Sequence, residues 1–114
     1  MSVEIKSVKK GNIAVVEIIG DALDASNVQK FRNDASQLLE GQKDVLFDLS
    51  KVKFVDSSGI GALLSVLRKS NALSGHVKLC CLQPNVQSLF DLVRMTRLFE
   101  TFDTQEVALA SFDS

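Results

Sequence analysis

The chain opens with two runs whose polarity repeats every second residue. Between Val3 and Lys9, Val3, Ile5 and Ser7 alternate with Glu4, Lys6 and Val8, which predicts a strand leading into a turn at Lys10-Gly11-Asn12. Ile13-Ala14-Val15-Val16-Glu17-Ile18-Ile19 is a β-branched run closed by Gly20. β-branched side chains fit a pleated surface, and so short a connection makes an antiparallel hairpin the simplest arrangement.

Beyond Gly20 the period becomes helical. Val28, Phe31, Ala35, Leu38 and Leu39 recur at three- and four-residue spacing, with Asp24 or Ser26 as cap candidates and Gly41 as a left-handed stop. Val45, Phe47 and Leu49 then alternate with Leu46, Asp48 and Ser50 as a third strand, which leads through Lys51-Val52-Lys53 into a second helix with Ile60, Leu63, Leu64 and Leu67 on one face. That helix is predicted to end near Ser74-Gly75. Val77 to Leu82 reads as a fourth strand, and Pro84 suits the first position of a third helix marked by Val86, Leu89, Phe90 and Val93. Leu98 to Phe102 is a short strand candidate, and Asp103-Thr104-Gln105-Glu106 resembles a capping box for a last helical turn through Val107 to Ala110.

The predicted order is β-β-α-β-α-β-α-β-α. Strands separated by helices join through right-handed crossovers into a parallel sheet, so the expectation is an α/β fold, mostly parallel, with one hairpin edge. At 114 residues the chain has the size of one domain, 1–114, able to bury roughly two-thirds of its unfolded surface. No repeat, low-complexity segment or linker interrupts it, so function is expected at loops or helix ends.

The element with the most chemical content is Phe54-Val55-Asp56-Ser57-Ser58-Gly59-Ile60-Gly61, set between a strand and a long helix. The first N–H groups of a helix lack intrahelical partners and the helix dipole is positive there. A small hydroxyl at that point can therefore cap the helix or carry an added phosphate. Nucleotide loops do not fit: Leu64 stands where a dinucleotide fingerprint needs its third glycine, and Ala62 follows Gly61 where a Walker loop needs lysine. Gly59 and Gly61 are read as allowing close approach at the helix start, or an open rim for a partner. A hydrolase elbow centred on Ser57 would need glycine where Val55 stands, and His76, the one histidine, is its sole conventional base. No catalytic residue is assigned.

Composition narrows the partners. With a formal net charge of −1 and mixed signs along the chain, no basic footprint for nucleic acid or a membrane surface is visible. No apolar run approaches the ~20 residues of a membrane span, and Met1-Ser2-Val3-Glu4 lacks the start of a secretion signal, so direct membrane insertion is not expected and the cytoplasm is the expected compartment. Cys80 and Cys81 are adjacent, and strand geometry is expected to send them to opposite faces as free thiols, with no disulfide and no metal. His76 is expected to be a solvent-facing turn residue. No cofactor is expected.

Taken together, Gly20-Asp21-Ala22-Leu23-Asp24, Val45-Leu46-Phe47-Asp48-Leu49-Ser50, the Asp56-Ser57-Ser58-Gly59 element and Leu89-Phe90-Asp91-Leu92 resemble the bacterial STAS-domain anti-sigma factor antagonists over nearly the whole chain. The resemblance implies a single STAS-like domain. It implies that Ser57, the serine directly after the aspartate, is phosphorylated by an ATP-dependent anti-sigma factor serine kinase and dephosphorylated by a metal-dependent PP2C-type phosphatase. Ser58 is then a cap or backbone partner, and the partner-binding surface comprises Asp24, Asp56, Ser57, Ser58, Gly59 and Gly61. The unphosphorylated protein would bind the kinase and free a sigma factor or another output. Two alternatives are carried: a STAS interaction subunit of a membrane lipid-transport ATPase that works without phosphorylation, and a serine hydrolase.

Overall fold

The alternating amino-terminal runs form strands β1 (Glu4–Lys10) and β2 (Ile13–Ile19), antiparallel in register from Glu4 opposite Ile19 to Lys10 opposite Ile13. Gly11 sits in their two-residue turn at φ +63°, with nothing near the position of a Cβ, so the backbone conformation alone favours glycine there. The structure, a computed structural model, describes residues 2–113; the sequence-derived bounds 1–114 reach one residue beyond it at each end.

The apolar periods then become α1 (Val28–Gly41), β4 (Asp44–Asp48), α2 (Ser57–Ala72), β6 (His76–Cys80), α3 (Pro84–Leu92) and α4 (Gln105–Ser111), with a 3-10 turn at Met95–Arg97 and a short strand β7 (Thr101–Phe102). Two further strands, β3 (Ala22–Leu23) and β5 (Phe54–Val55), pair with each other in parallel and lie outside the main sheet. The main sheet has the order β1-β2-β4-β6-β7, parallel from β2 onward and antiparallel only at the hairpin edge.

Strand alternation divides the core in two. Ala14, Val16, Ile18, Val45, Phe47, Val77 and Leu79 face α1, α2 and α3, and the tilted Phe31 and Phe47 rings meet there with centroids 5.8 Å apart. On the other face Ile13, Val15, Leu46 and Cys80 are covered by Ala108, Leu109 and Phe112. Lys78 lies on that face with its stem buried, its Nζ donating to the Ser111 carbonyl at 3.1 Å and Oγ at 2.9 Å and standing 4.5 Å from the Phe112 ring centroid.

Several local expectations are corrected. Gly41 is the last residue of α1 and is not left-handed; the chain leaves through an extended Gln42. The end of α2 does fall near Ser74-Gly75 as expected: Ala72 is its last residue, Ser74 is left-handed at φ +60°, and Gly75 is needed because a Cβ there would lie 2.3 Å from the Lys43 carbonyl oxygen. Neither the Asp24 nor the Ser26 side chain caps α1; Asn27 occupies the cap position without a side-chain cap bond, and the Asp24 carbonyl receives the amides of Asn27 and Val28. Leu98 to Phe102 is a strand only over its last two residues, and α4 is capped by Thr104 Oγ1, which accepts from the Val107 amide at 3.2 Å.

The cysteines depart most from expectation. Cys80 follows the alternation onto the α4 face, beside Asp48 of the neighbouring strand. Cys81 follows the strand at φ +63°, and this left-handed residue turns its side chain back to the same face. The donor atoms of Asp48, Cys80 and Cys81 therefore lie within 4.8 Å of one another, so the face argument against a two-cysteine clamp fails. Asp48 already accepts from the Ser50 amide at 2.8 Å and Gln105 Nε2 at 2.6 Å, and burial pushes both thiols up, toward the protonated form.

Candidate functional site

The two-residue strands β3 and β5 assemble the site. Each is an apolar dipeptide followed by an acidic residue: Ala22-Leu23 by Asp24, and Phe54-Val55 by Asp56. Their parallel pairing brings the loop before α1 against the entrance of α2.

Asp56 connects the two. Its Oδ1 accepts from the Gly59 amide at 2.9 Å, capping α2, while its Oδ2 accepts from the Ala25 amide at 3.2 Å on the opposite loop. The loop is in turn held by Asn27, a buried residue whose Nδ2 donates to the Ala22 carbonyl at 2.8 Å and whose Oδ1 accepts from the Asp24 amide at 3.0 Å. Asp24 Oδ1 accepts from the Ser26 hydroxyl at 2.5 Å and the Ser26 amide at 2.9 Å, and these two bonds hold its carboxyl below the usual carboxylate range.

Gly59 is buried, and a Cβ on it would lie 2.3 Å from the Leu23 carbonyl oxygen and 2.8 Å from Val55 Cγ1. Its lack of a side chain lets the first turn of α2 rest on the β3 backbone. Gly61 differs: a Cβ there would meet only Arg32 Nη2, at the ordinary contact distance of 3.6 Å.

Because Asp56 supplies the cap, neither serine does. Ser57 is the first residue of α2 and exposed, Ser58 is half-buried, and among the described residues neither hydroxyl has a hydrogen-bond partner. The expected capping role of Ser58 is thus corrected. Asp24, Asp56, Ser57 and Gly59 meet at this junction of loop and helix, and Gly61 lies one turn along. Sequence reasoning passed over Phe54, 53% exposed two residues before the cap, and Asn27, which braces the loop.

His76, exposed as expected, opens β6 with Nδ1 3.1 Å from Asp44 Oδ1. It stands at the opposite end of the parallel strands from the β4 exit that leads to Ser57. Ser57 has no histidine within reach to take its proton.

The STAS domain profile matches residues 4–108. The chain belongs to the STAS domain family. Among its relatives is BtrV of Bordetella bronchiseptica, named as an anti-sigma factor antagonist, 23% identical over 86% of this chain and 85% of that protein. An anti-sigma-factor antagonist STAS domain protein from Planctomyces limnophilus has the same fold, with a TM-score of 0.87 at 18% identity over the full length of both chains. SpoIIAA, a Bacillus cell fate determinant whose structure is of the phosphorylated form, superposes with a TM-score of 0.70 at 21% identity, covering 96% of this chain and 98% of that one. Among the described residues of this STAS domain no helix is long and apolar enough to cross a membrane.

Proposed function

We propose that this STAS domain is an anti-sigma factor antagonist, controlled by phosphorylation of Ser57. In this reading the unmodified protein binds an anti-sigma factor serine kinase through the junction of the Asp24 loop with the entrance of α2. Phosphorylation releases it, and a PP2C-type phosphatase resets it. The observation that carries the reading is the division of labour at α2: Asp56 satisfies the helix end, so the exposed Ser57 hydroxyl has no structural task. The names of its relatives agree with that role.

Release follows from charge. A phosphoserine adds about −1.5 to −2 charge at pH 7. It would stand beside Asp56 and near Asp24, on a surface whose partner has met a neutral hydroxyl. The helix entrance tolerates an anion, whereas an interface must desolvate it and loses a hydroxyl contact. The domain acts by binding, with no catalytic residue of its own.

The test is affinity for an anti-sigma factor serine kinase that phosphorylates this chain, measured for wild type, Ser57→Ala, Ser57→Asp and kinase-treated protein, with the phosphate mapped by mass spectrometry. Ser57→Ala should bind like unmodified wild type and resist release. Treated wild type should lose ~2–5 kcal/mol, roughly 30- to several-thousand-fold in affinity, and Ser57→Asp only part of it. A folded protein fully phosphorylated on Ser57 that binds as before would refute the switch. Phosphate on Ser58 instead would move the acceptor, and capture of a transport ATPase in place of a kinase would assign the domain to a membrane assembly.

A further inference from the structure

Helices α1 and α2 run side by side in the same direction: the Ala25 amide meets Asp56, Arg32 meets Gly61, and Ser36 and Glu40 meet Lys69. Between them lies a groove of about 240 Å³ lined by Arg32, Ser36, Leu39, Ser65, Val66 and Lys69. Its two cations are not equivalent. Lys69 Nζ donates to Ser36 Oγ at 2.5 Å and Glu40 Oε1 at 3.2 Å. Arg32 forms no ion pair or hydrogen bond among the described residues, and its Nε is buried without an acceptor. An unanswered buried guanidinium N–H is costly, and here it points to an anion that the unmodified chain does not supply.

Two features aim this cation at Ser57. Gly61 stands four residues after Ser57, so both lie on one face of α2, with side-chain origins about 5–6 Å apart. The guanidinium already touches that face, Nη2 lying 3.6 Å from where a Gly61 Cβ would be. Side chains on a helix also lean toward its amino end, and for α1 that is the end shared with Ser57. Glycine at 61 leaves open the space between the guanidinium and the first turn of α2.

We propose that Arg32 is the built-in receptor for the phosphate on Ser57: on phosphorylation its guanidinium moves along the bare surface at Gly61 and takes two phosphate oxygens in a forked pair. Arginine suits this role because its planar fork matches phosphate and stays charged. The pair would draw the phosphate toward the groove and bring an acceptor to the unpartnered Arg32 Nε. Arg32 is a positioning residue here, and the inference rests on the reading of Ser57 as acceptor.

The test separates the two ideas by installing phosphoserine at position 57 through genetic encoding, with no kinase needed. Its second ionisation is then followed by phosphorus NMR against pH in wild type, Arg32→Gln, Arg32→Lys and Lys69→Gln, with circular dichroism confirming the fold. A paired guanidinium favours the dianion, so the wild-type phosphate should titrate about 1 unit or more below that of Arg32→Gln. Arg32→Lys, which keeps the charge without the fork, should fall between, and Lys69→Gln should stay close to wild type. Equal values in wild type and Arg32→Gln, or a Lys69→Gln shift as large as that of Arg32→Gln, would overturn the proposal. A kinase reaction that phosphorylated another residue would instead refute Ser57 as acceptor, leaving this titration fully readable.

Discussion

Asp56 uses its two oxygens for different tasks, one closing a helix and the other tying down a loop 31 residues away in sequence. Removing both should cost more than an ordinary cap, which is typically worth ~1 kcal/mol. Asp56→Ala is therefore expected to lower unfolding stability by about 1–2 kcal/mol. Asn has a single acceptor oxygen, so Asp56→Asn should keep one bond and fall between. Urea denaturation of the three proteins checks this, and an Asp56→Ala protein as stable as wild type would mean that neither bond contributes. The residue types at the site were legible from the sequence, because an aspartate and two serines at the start of an apolar helical period announce a helix entrance. Which of the three caps it was not, since the choice depends on Asp56 adopting an extended backbone, φ −98° and ψ −175°, with a carboxylate in reach of two amides.

At the scale of elements, long periodic segments were readable and two-residue ones were not. The hairpin, α1 from Val28 and α3 with Pro84 at its first turn all follow from spacing and backbone chemistry. Strands β3 and β5 are too short to show a period, yet they place the Asp24 loop beside Asp56. The Cys81 side chain defeated the alternation rule for a related reason: one left-handed residue at the end of a strand reverses the face, and no neighbouring glycine signalled it. The two glycines of α2, indistinguishable by composition, separate sharply in their surroundings. Gly59→Ala must push its new carbon against the Leu23 backbone, which cannot swing aside like a side chain, so α2 and β3 must part. A loss of about 1–3 kcal/mol is expected. Gly61→Ala meets only the end of Arg32 and removes a flexible residue from a helix, so it should be neutral or stabilising by up to ~1 kcal/mol. Thermal and urea unfolding of both variants decide the matter; equal effects would show that the contact with β3 is not what requires glycine at 59.

Across the whole molecule the sheet separates two territories. One face carries α1, α2 and α3 and so holds the Ser57 junction; the other is closed by α4, which covers Leu46 and Cys80 and receives Lys78 through Ser111. Because α4 is a short helix on the opposite face of the sheet from α2, its packing should be alterable without disturbing the entrance of α2. Phe112→Ala removes a half-buried ring from that cover and its contact with Lys78, at a cost on the order of 1–2 kcal/mol. In the wild type, burial raises both thiols toward the protonated form and shields Cys80 fully and Cys81 in part, so Cys80 should react slowly with an alkylating reagent at neutral pH, Cys81 faster than Cys80, and both fully once denatured. Phe112→Ala should open α4 more often and speed the labelling of Cys80 several-fold, while under the proposed switch the rate of phosphorylation at Ser57 by a partner kinase stays within about twofold of wild type. Alkylation mapped by mass spectrometry alongside the kinase assay reads both faces in one protein. If the variant slowed phosphorylation in proportion to its faster Cys80 labelling, the two faces would be coupled through the sheet, and α4 would belong to the switch.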